Sequence, residues 1–332
     1  MDTLINRQGQ VSFGVFPTSP KNINYLDFDL RNNMDKAING FRKKMRFNQF
    51  QFIGLTGDDL ILGVAIVNLK WVSNCFLYIY QPSTQTFTEY SWLKPFALNT
   101  QTDTRPNNGS WSFKSGHNHI SITSHEQSRQ LKISCGNELN VDVSINETQS
   151  PLDVCCRAGY NGWVYTQKNT ALPFTGHIQW RGQDINTQDL LASVDWSCGY
   201  MRRETFWHWA SLSHKTQNGD TVGFNLAAGV NETSYTENAL WINSEMIKLD
   251  RAEFIFDRSN RMAPWQIKTS DGHIDLTFTP AGERKEKINA GLIASNFTQV
   301  FGRFNGSVKN LQGETISISN ATGFCEDHFA KW

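Results

Sequence analysis

The chain has 332 residues, 39% hydrophobic and 12% aromatic, and its 31 basic side chains balance its 31 acidic ones. This composition supplies enough apolar surface for a packed core and makes a disordered chain an unsuitable default. The short basic clusters do not form the basic stripe that neutralises phosphates, so nucleic acid is not an expected partner. No stretch approaches the roughly eighteen apolar residues of a membrane span, and no apolar leader opens the chain. We therefore expect a soluble, cytoplasmic protein.

The first clear pattern along the chain is a helical one in residues 34–47. Apolar residues recur there at spacings of three and four on a basic background, which predicts an amphipathic helix that packs across a barrel end or a sheet face. The apolar positions are Met34, Ala37, Ile38, Phe41 and Met45.

Most of the remaining chain has a period of two and predicts β-strands. The segments are short, rich in β-branched and aromatic residues, and separated by turns. Asn, Asp and Gly tolerate positive φ, so the turns at 56–59, 218–220 and 270–272 suit tight hairpins. Many short strands joined in this way predict a sandwich or a barrel. The clearest predicted strands are 60–67, 75–80, 119–123, 139–143 and 274–278.

An internal repeat relates the two halves of the chain. Residues 111–123 match residues 265–277, with a tryptophan, a lysine, a histidine and a threonine at identical spacings. Each half also closes on an alternating apolar run that ends in glycine and an aromatic residue, at 188–200 and at 314–324. The simplest explanation is a duplicated β unit of about 150 residues. We predict two domains, residues 1–190 and residues 191–332.

The cysteines show neither a CxxC pair nor a zinc-like spacing, so we expect reduced and mostly buried thiols. A metal site at the histidines of residues 117–125 is not expected either, because the neighbouring carboxylates and thiols have no recognised ligand spacing. No nucleotide-binding or nucleophile-elbow motif is present. The sequence thus predicts neither a metal nor a cofactor.

Several motifs, densest in the second half, resemble a known family. They are Gly199–Ser211, Gly223–Glu232, Pro264–Trp265, Phe301–Gly306 and Gly323–Trp332. Together they resemble the bacterial domain-of-unknown-function family 2804 over nearly the whole chain. The closing Gly-aromatic-x-Glu element is also similar to the hydroxyneurosporene synthase and AttH-like proteins. This resemblance implies an all-β fold of two tandem lipocalin-like, calycin-type antiparallel barrels with few short helices and with cavities for apolar molecules. The family label implies no activity.

Charged and aromatic residues are concentrated in the stretch 195–213, at the junction of the halves. If the stretch is extended from Tyr200, each of its faces carries a charge and several aromatic rings. An inward-facing Arg202 or Arg203 would require a carboxylate, for which Glu204, Asp195 and Glu326 are candidates. Aligning the two Gly-aromatic closures suggests the pairs Arg202–Glu326 and Glu204–His328. These charges would either form a structural ion-pair seam between barrels or contact a ligand.

Three residues are candidate proton donors or acceptors: His208, Glu326 and His328. Burial among aromatic rings shifts carboxyl and imidazole pKa values towards neutrality, which suits acid–base chemistry. The alternative is that these residues are ordinary parts of a barrel wall. The candidate ligand contacts are Tyr200, Arg202, Arg203, Glu204, Trp207, Trp209, Asn225, Asn231 and Trp265.

Three functions fit the sequence. The leading one is binding of an apolar or amphipathic small molecule in an aromatic-lined cavity, in the second barrel or between the barrels. The second is an acid-assisted cyclase, hydratase or isomerase in the same cavity, and the third is a structural protein whose barrels are filled by their own side chains. A monomer is expected, because closed barrels leave no sheet edge to cover.

Overall fold

The structure is a computed structural model that describes residues 1–230, 235–289, 291 and 293–331. Within these ranges the helical segments are one short 3-10 turn, Tyr25–Asp27, and helix α1, Gly40–Lys44. None of the helices described there has the length and apolar character needed to cross a membrane. The strands up to residue 200 are β1 (Gly14–Phe16), β2 (Asn48–Gly57), β3 (Leu60–Asn68), β4 (Val72–Gln81), β5 (Thr86–Pro95), β6 (Thr100–Gln101), β7 (Ser110–Ser115), β8 (Asn118–His125), β9 (Ser128–Cys135), β10 (Leu139–Asn146), β11 (Leu152–Ala158), β12 (Gly162–Leu172), β13 (Phe174–Trp180), β14 (Gln183–Ile185) and β15 (Leu191–Tyr200). The later strands are β16 (Glu204–Lys215), β17 (Thr221–Ala228), β18 (Ala239–Ile242), β19 (Glu245–Lys248), β20 (Ala252–Ile255), β21 (Trp265–Thr269), β22 (Ile274–Asn289), β23 (Ala294–Lys309) and β24 (Thr315–Lys331).

Residues 1–200, called here the first unit, contribute two antiparallel sheets. One has eight strands in the order β1-β11-β12-β15-β2-β3-β4-β5, and the other has seven in the order β14-β13-β10-β9-β8-β7-β6. Side chains from both sheets share one apolar core, in which Trp111 and Trp196 pack 5.9 Å apart between ring centroids. The alternation of the sequence therefore places one face of each sheet in a common interior.

Residues 204–331, called here the second unit, form one nine-stranded antiparallel sheet. Its order is β19-β18-β17-β16-β24-β23-β22-β21-β20. The sheet curls so that edge strand β20 approaches β17, which makes a half-barrel. In its interior the Phe304 ring packs on Phe224 and Phe278, with centroid distances of 5.2 and 4.7 Å respectively.

The duplication predicted from the sequence is visible in the pairing. In each unit the strand that contains the Gly-aromatic pair is hydrogen-bonded to the first strand of the opening hairpin, β15 to β2 and β24 to β16. The two matched segments form equivalent hairpins, β7–β8 and β21–β22. Their tryptophans, Trp111 and Trp265, are both buried.

The boundary between the units differs from the predicted position at 190/191. Strand β15 pairs with β12 and β2 inside the eight-stranded sheet, so residues 191–200 belong to the first unit. The chain passes to the second unit between Tyr200 and Glu204. The apolar run at 188–200 was interpreted as the closure of the first half, and its pairing requires the boundary to follow it.

The two units meet at an apolar interface, called here the seam. Trp209 is central to it, with its ring centroid 5.5 Å from Phe52 and 4.9 Å from Phe324. Removing these large rings from water stabilises the association of the units. The buried members of the seam are Phe52, Ile61, Ala65, Tyr78 and Tyr80 from the first unit and Trp209, Ala227, Phe301 and Phe324 from the second.

A buried ion-pair network lies beside the apolar seam. Lys168 Nζ is 2.5 Å from Asp195 Oδ2 and 3.0 Å from Glu237 Oε2, and no more than a tenth of each side chain is exposed. Burial alone would lower the pKa of Lys168, but the two carboxylates outweigh it and raise the pKa. Asp195 therefore pairs with a lysine of its own unit and not with the arginines for which it was a candidate partner.

The predicted helix over residues 34–47 is wrong in extent and in packing. Only residues 40–44 are helical, because Asp35 and Gly40 both adopt positive φ, which interrupts a helix. Met34 and Phe41, which were expected to pack, are 85% and 67% exposed. Among the five predicted apolar positions, Ile38 is the buried one.

The predicted strands and thiols agree better with the structure. Each of the five clearest predicted segments lies within β3, β4, β8, β10 or β22, and each predicted hairpin turn joins two paired strands. All six cysteines lie in described ranges, are buried and form no disulfide.

Candidate functional site

Strand β16 separates its side chains between two environments. The even positions His208, Ala210 and Leu212 face the half-barrel, where Ala210 and Leu212 join its core. The odd positions Trp207 and Trp209 face the seam. Because adjacent strand residues point in opposite directions, His208 faces the half-barrel, while the candidate ligand contacts Trp207 and Trp209 face the seam.

The stretch 195–213 is divided between two strands, β15 and β16. Residues 201–203 lie outside the strands, and the chain changes sheets there. Arg203 is exposed, while Arg202 is partly buried with its Cγ beside Gly159. Glu204 forms its ion pair with Lys331 at 2.9 Å. In the described ranges the predicted ion pairs Arg202–Glu326 and Glu204–His328 are not formed, because the β16–β24 register places Glu326 opposite Trp209 and His328 opposite Trp207.

A cleft of about 440 Å³ lies at the mouth of the half-barrel, where β16, β23 and β24 begin or end. It is called here the mouth cleft. Two exposed phenylalanine rings give it an apolar wall, with Phe206 53% and Phe329 38% exposed. Its lining residues are Phe206, Arg258, Arg261, Asn296, Asp327, His328 and Phe329.

The two arginines of the mouth cleft come from an ordered double turn. Asp257 accepts hydrogen bonds from the backbone N–H and the hydroxyl of Ser259, the Asx pattern that stabilises such turns. The turn is tied to the barrel by Trp265, whose Nε1–H donates to the Arg261 carbonyl at 2.9 Å. Trp265 is fully buried and stacks on Phe256 at 3.8 Å. It therefore positions the arginines from behind and does not line the cleft.

The floor of the mouth cleft carries one ionised carboxylate. Asp327 receives Arg261 Nε–H at 2.7 Å and lies 3.3 Å from His208 Nε2. Burial alone would raise the pKa of Asp327, but the bonds from His208 and Arg261 outweigh it and lower the pKa. Within the described part of the chain Arg258 has no carboxylate at ion-pair distance, so the lining carries two arginines against one aspartate.

A second histidine–carboxylate contact lies on the opposite face of β24. Glu326, with a side chain 7% exposed, accepts a hydrogen bond from Trp207 Nε1 at 2.8 Å and lies 3.6 Å from His328 Nδ1. The other ring nitrogen of His328 is 3.0 Å from Ser295 Oγ. The Trp207 ring lies 4.2 Å from the imidazole and fixes its position. Glu326 and His328 are thus brought together as candidates, with Ser295 as a partner that the sequence reasoning missed.

The other predicted ligand contacts lie away from the mouth cleft. Tyr200 is buried in the first unit and donates to the Tyr25 carbonyl. Asn225 accepts from Trp209 Nε1 at 2.8 Å and donates to the Glu237 carbonyl at 2.7 Å, so it holds the seam in place. Asn231 lies outside the described residues. Neither Arg202 nor Arg203 lines the cleft, and Glu204 does not line it either.

Residues that the sequence reasoning missed include Arg258, Arg261, Asp327 and Asn296. For Asp327 a signal existed, because alternation places it opposite to Glu326 and His328. The turn that carries the arginines has no periodicity, so only its position before the Pro264–Trp265 motif distinguishes it.

One buried carboxyl group with a raised pKa lies far from the mouth cleft, in the first unit. Burial raises the pKa of Asp153 to about 6, against hydrogen bonds from Tyr165, Ser19 and Gln167 that lower it. Gln167 links this group to Arg129, which also bonds to Glu147 at 2.8 Å. The group is saturated by its neighbours and belongs to the packing of the first unit.

A second cleft, of about 340 Å³, lies where the opening hairpin turns of both units meet. Asp58, His214 and Thr322 are among its lining residues. Burial lowers the pKa of His214. This cleft is polar and contains none of the residues predicted as functional.

Several solved structures are similar to this chain in overall fold. An AttH-like protein of Nitrosomonas europaea superposes with a TM-score of 0.50 at 11% identity, over 88% of this chain and 94% of that one. Kievitone hydratase from Nectria haematococca superposes with a TM-score of 0.49 at 11% identity, over 85% of this chain and 88% of that one. CghA with Sch210972 superposes with a TM-score of 0.48 at 7% identity, over 99% of this chain and 97% of that one. Identities this low concern the fold alone.

The fold is that of a nearly all-β protein of two lipocalin-like units in tandem, as the resemblance implied. Residues 2–332 match the model of the domain of unknown function DUF2804, and the chain belongs to that family. No curated protein matches the sequence.

Proposed function

We propose that the mouth cleft binds a small amphipathic anion. The observation that carries this proposal is the combination of two exposed phenylalanines with an arginine, Arg258, that has no carboxylate partner among the described residues. An apolar chain would lie against Phe206 and Phe329, and its head group would accept hydrogen bonds from Arg258. The site differs in place from the predicted barrel cavity, because the half-barrel interior is packed with its own side chains.

The proposal predicts discrimination by charge. We expect decanoate to bind at least about tenfold more tightly than decanol, since a hydrogen bond to a charged group contributes about 1.5–3 kcal/mol. Arg258→Gln is expected to remove most of that difference and leave decanol binding unchanged. Isothermal titration calorimetry with the full chain measures both affinities.

The matched control is Arg251→Gln, which removes an exposed arginine outside the cleft. It is expected to bind decanoate like the wild type. Equal affinities for decanoate and decanol, or an Arg258→Gln variant that still prefers decanoate, would refute the proposal.

A second candidate function is acid–base catalysis on the same ligand. It is favoured by the two histidines at the mouth, each beside a carboxylate, His208 with Asp327 and His328 with Glu326. Imidazole is the commonest general acid or base, and a neighbouring carboxylate orients it. Of the two, His208 shares the cleft face of the sheet with Asp327, whereas the imidazole of His328 lies on the opposite face of β24.

Proton transfer can be tested without knowledge of the substrate. If the site is catalytic, we expect the protein to accelerate exchange of deuterium from heavy water into the carbons flanking the ketone of 4-oxodecanoate. His208→Asn should abolish the acceleration and retain decanoate binding. Proton NMR follows the exchange, and a rate no faster than that in buffer would leave the protein as a binder.

The cytoplasmic location, the bacterial origin and the monomeric state stay predictions from the sequence.

A further inference from the structure

A second surface, far from the mouth cleft in sequence, carries exposed aromatic rings that contact one another edge to face. It is called here the aromatic patch and consists of Phe41, Trp71, Phe96 and Leu98, which are 67%, 57%, 66% and 56% exposed. The Trp71 ring lies between the other two, 6.3 Å from Phe41 and 6.1 Å from Phe96. Adjacent apolar side chains exposed to this degree mark an interaction surface more often than isolated ones do.

The backbone presents the patch from one end of the first unit. Phe41 lies in helix α1, just before β2. Trp71 lies in the turn between β3 and β4, and Phe96 follows β5. The Phe96 N–H donates to the Trp71 carbonyl at 2.8 Å, which ties the two turns together. The rings are therefore held outwards by an ordered backbone.

The surroundings of the patch are basic, although the chain as a whole has no net charge. Residues 36–46, 69–75 and 91–99 contain seven lysines and arginines and no acidic residue. Four of these cations are exposed, and none of the four forms an ion pair within the described ranges. They are Lys36, Arg42, Lys44 and Arg46.

We infer that the aromatic patch docks the protein onto an anionic lipid surface. Tryptophan and phenylalanine partition favourably into the headgroup region of a bilayer, and nearby lysines and arginines are attracted to anionic lipids. The patch and its basic surroundings therefore supply two contributions to membrane binding, insertion of apolar rings and electrostatic attraction. Face-to-face contact with a second copy fits less well, because it would bring two sets of unpaired cations together. The inference is independent of the proposed ligand at the mouth cleft.

The test is co-sedimentation of the full chain with vesicles. We expect binding to vesicles of phosphatidylcholine with phosphatidylserine, little binding to phosphatidylcholine alone, and loss of binding as salt is raised. Arg42→Glu/Lys44→Glu should weaken binding by roughly thirtyfold or more, since each basic residue near such a surface contributes about fivefold to affinity. Trp71→Ser/Phe96→Ser should weaken binding to the same vesicles.

The control is Lys309→Glu/Leu311→Ser, which changes an exposed cation and an exposed leucine in and beside the β23–β24 turn, in the second unit. It should bind like the wild type, and circular dichroism verifies that every variant is folded. Absence of binding to anionic vesicles at low salt would overturn the inference, as would wild-type binding by either patch variant. A dimer in analytical ultracentrifugation that Trp71→Ser/Phe96→Ser abolishes would also overturn it, because the patch would then be a self-association surface.

Discussion

Replacing Lys168 by methionine is expected to lower the free energy of unfolding by about 3–5 kcal/mol, the usual result of removing one partner from a buried ion pair. Asp195 and Glu237 would keep their charges in a buried site and would lose the cation that lies between them. Urea denaturation followed by tryptophan fluorescence gives the free energy. Because Glu237 belongs to the second unit and the other two residues to the first, the loss should also weaken the contact between the units.

The matched control is Lys331→Met, which removes the cation of a more exposed ion pair with Glu204. Exposed pairs contribute about 0–1 kcal/mol, so a small change is expected. Neutralising the carboxylates as well, with Lys168→Met/Asp195→Asn/Glu237→Gln, should recover much of the loss. If Lys168→Met cost no more than the control, the network would not be a structural element of the seam.

Replacing Trp209 by alanine is the second change with a large expected effect, about 3–5 kcal/mol for a large aromatic side chain in a core. The variant loses the packing on Phe52 and Phe324 and leaves the Asn225 amide oxygen without its indole donor. Since these contacts join the units, we expect the wild type to unfold in one transition and the variant to unfold in two. Differential scanning calorimetry measures the transitions.

Trp71→Ala is the control for this experiment, because Trp71 is 57% exposed and lies outside the seam. It should change the free energy of unfolding by roughly 0.5 kcal/mol or less. A wild-type transition in Trp209→Ala, unchanged in midpoint and shape, would mean that the seam does not couple the units.

The strands and the duplication could be predicted because their signals are local. Alternation of apolar and polar residues predicts a strand, and turn residues between two strands predict a hairpin. The two matched segments that begin with a tryptophan indicate the repeat. The faces of β16 could also be listed from alternation. Which face lies inside the half-barrel could not, because both His208 and its neighbours Trp207 and Trp209 are compatible with an interior or with an interface. Only the pairing of β16 with β24, and of the units with each other, decides this.

The mouth cleft itself was only partly predictable. Glu326 and His328 were identified from their sequence motif, but their pairing with Trp207 and Ser295 depends on strand register. Arg258 and Arg261 lie in an aperiodic turn, which no spacing argument detects. The prediction of a helix over residues 34–47 was wrong for a related reason. The apolar side chains have helical spacing, but the positive φ angles of Asp35 and Gly40 are incompatible with a continuous helix there.

The function of the three consecutive residues Glu326, Asp327 and His328 depends on the register of β24. Because their side chains alternate, a slip of β24 by one position would send both seam-facing groups towards the cleft and bring the Asp327 charge against Trp209. Such a shift of register would leave the same residues near the site and would destroy its chemistry. Insertions or deletions of a single residue within β23 or β24, on either side of Asn310–Glu314, should therefore be tolerated far less well than substitutions in these strands. A change of length inside that exposed turn leaves the register of the two strands unchanged.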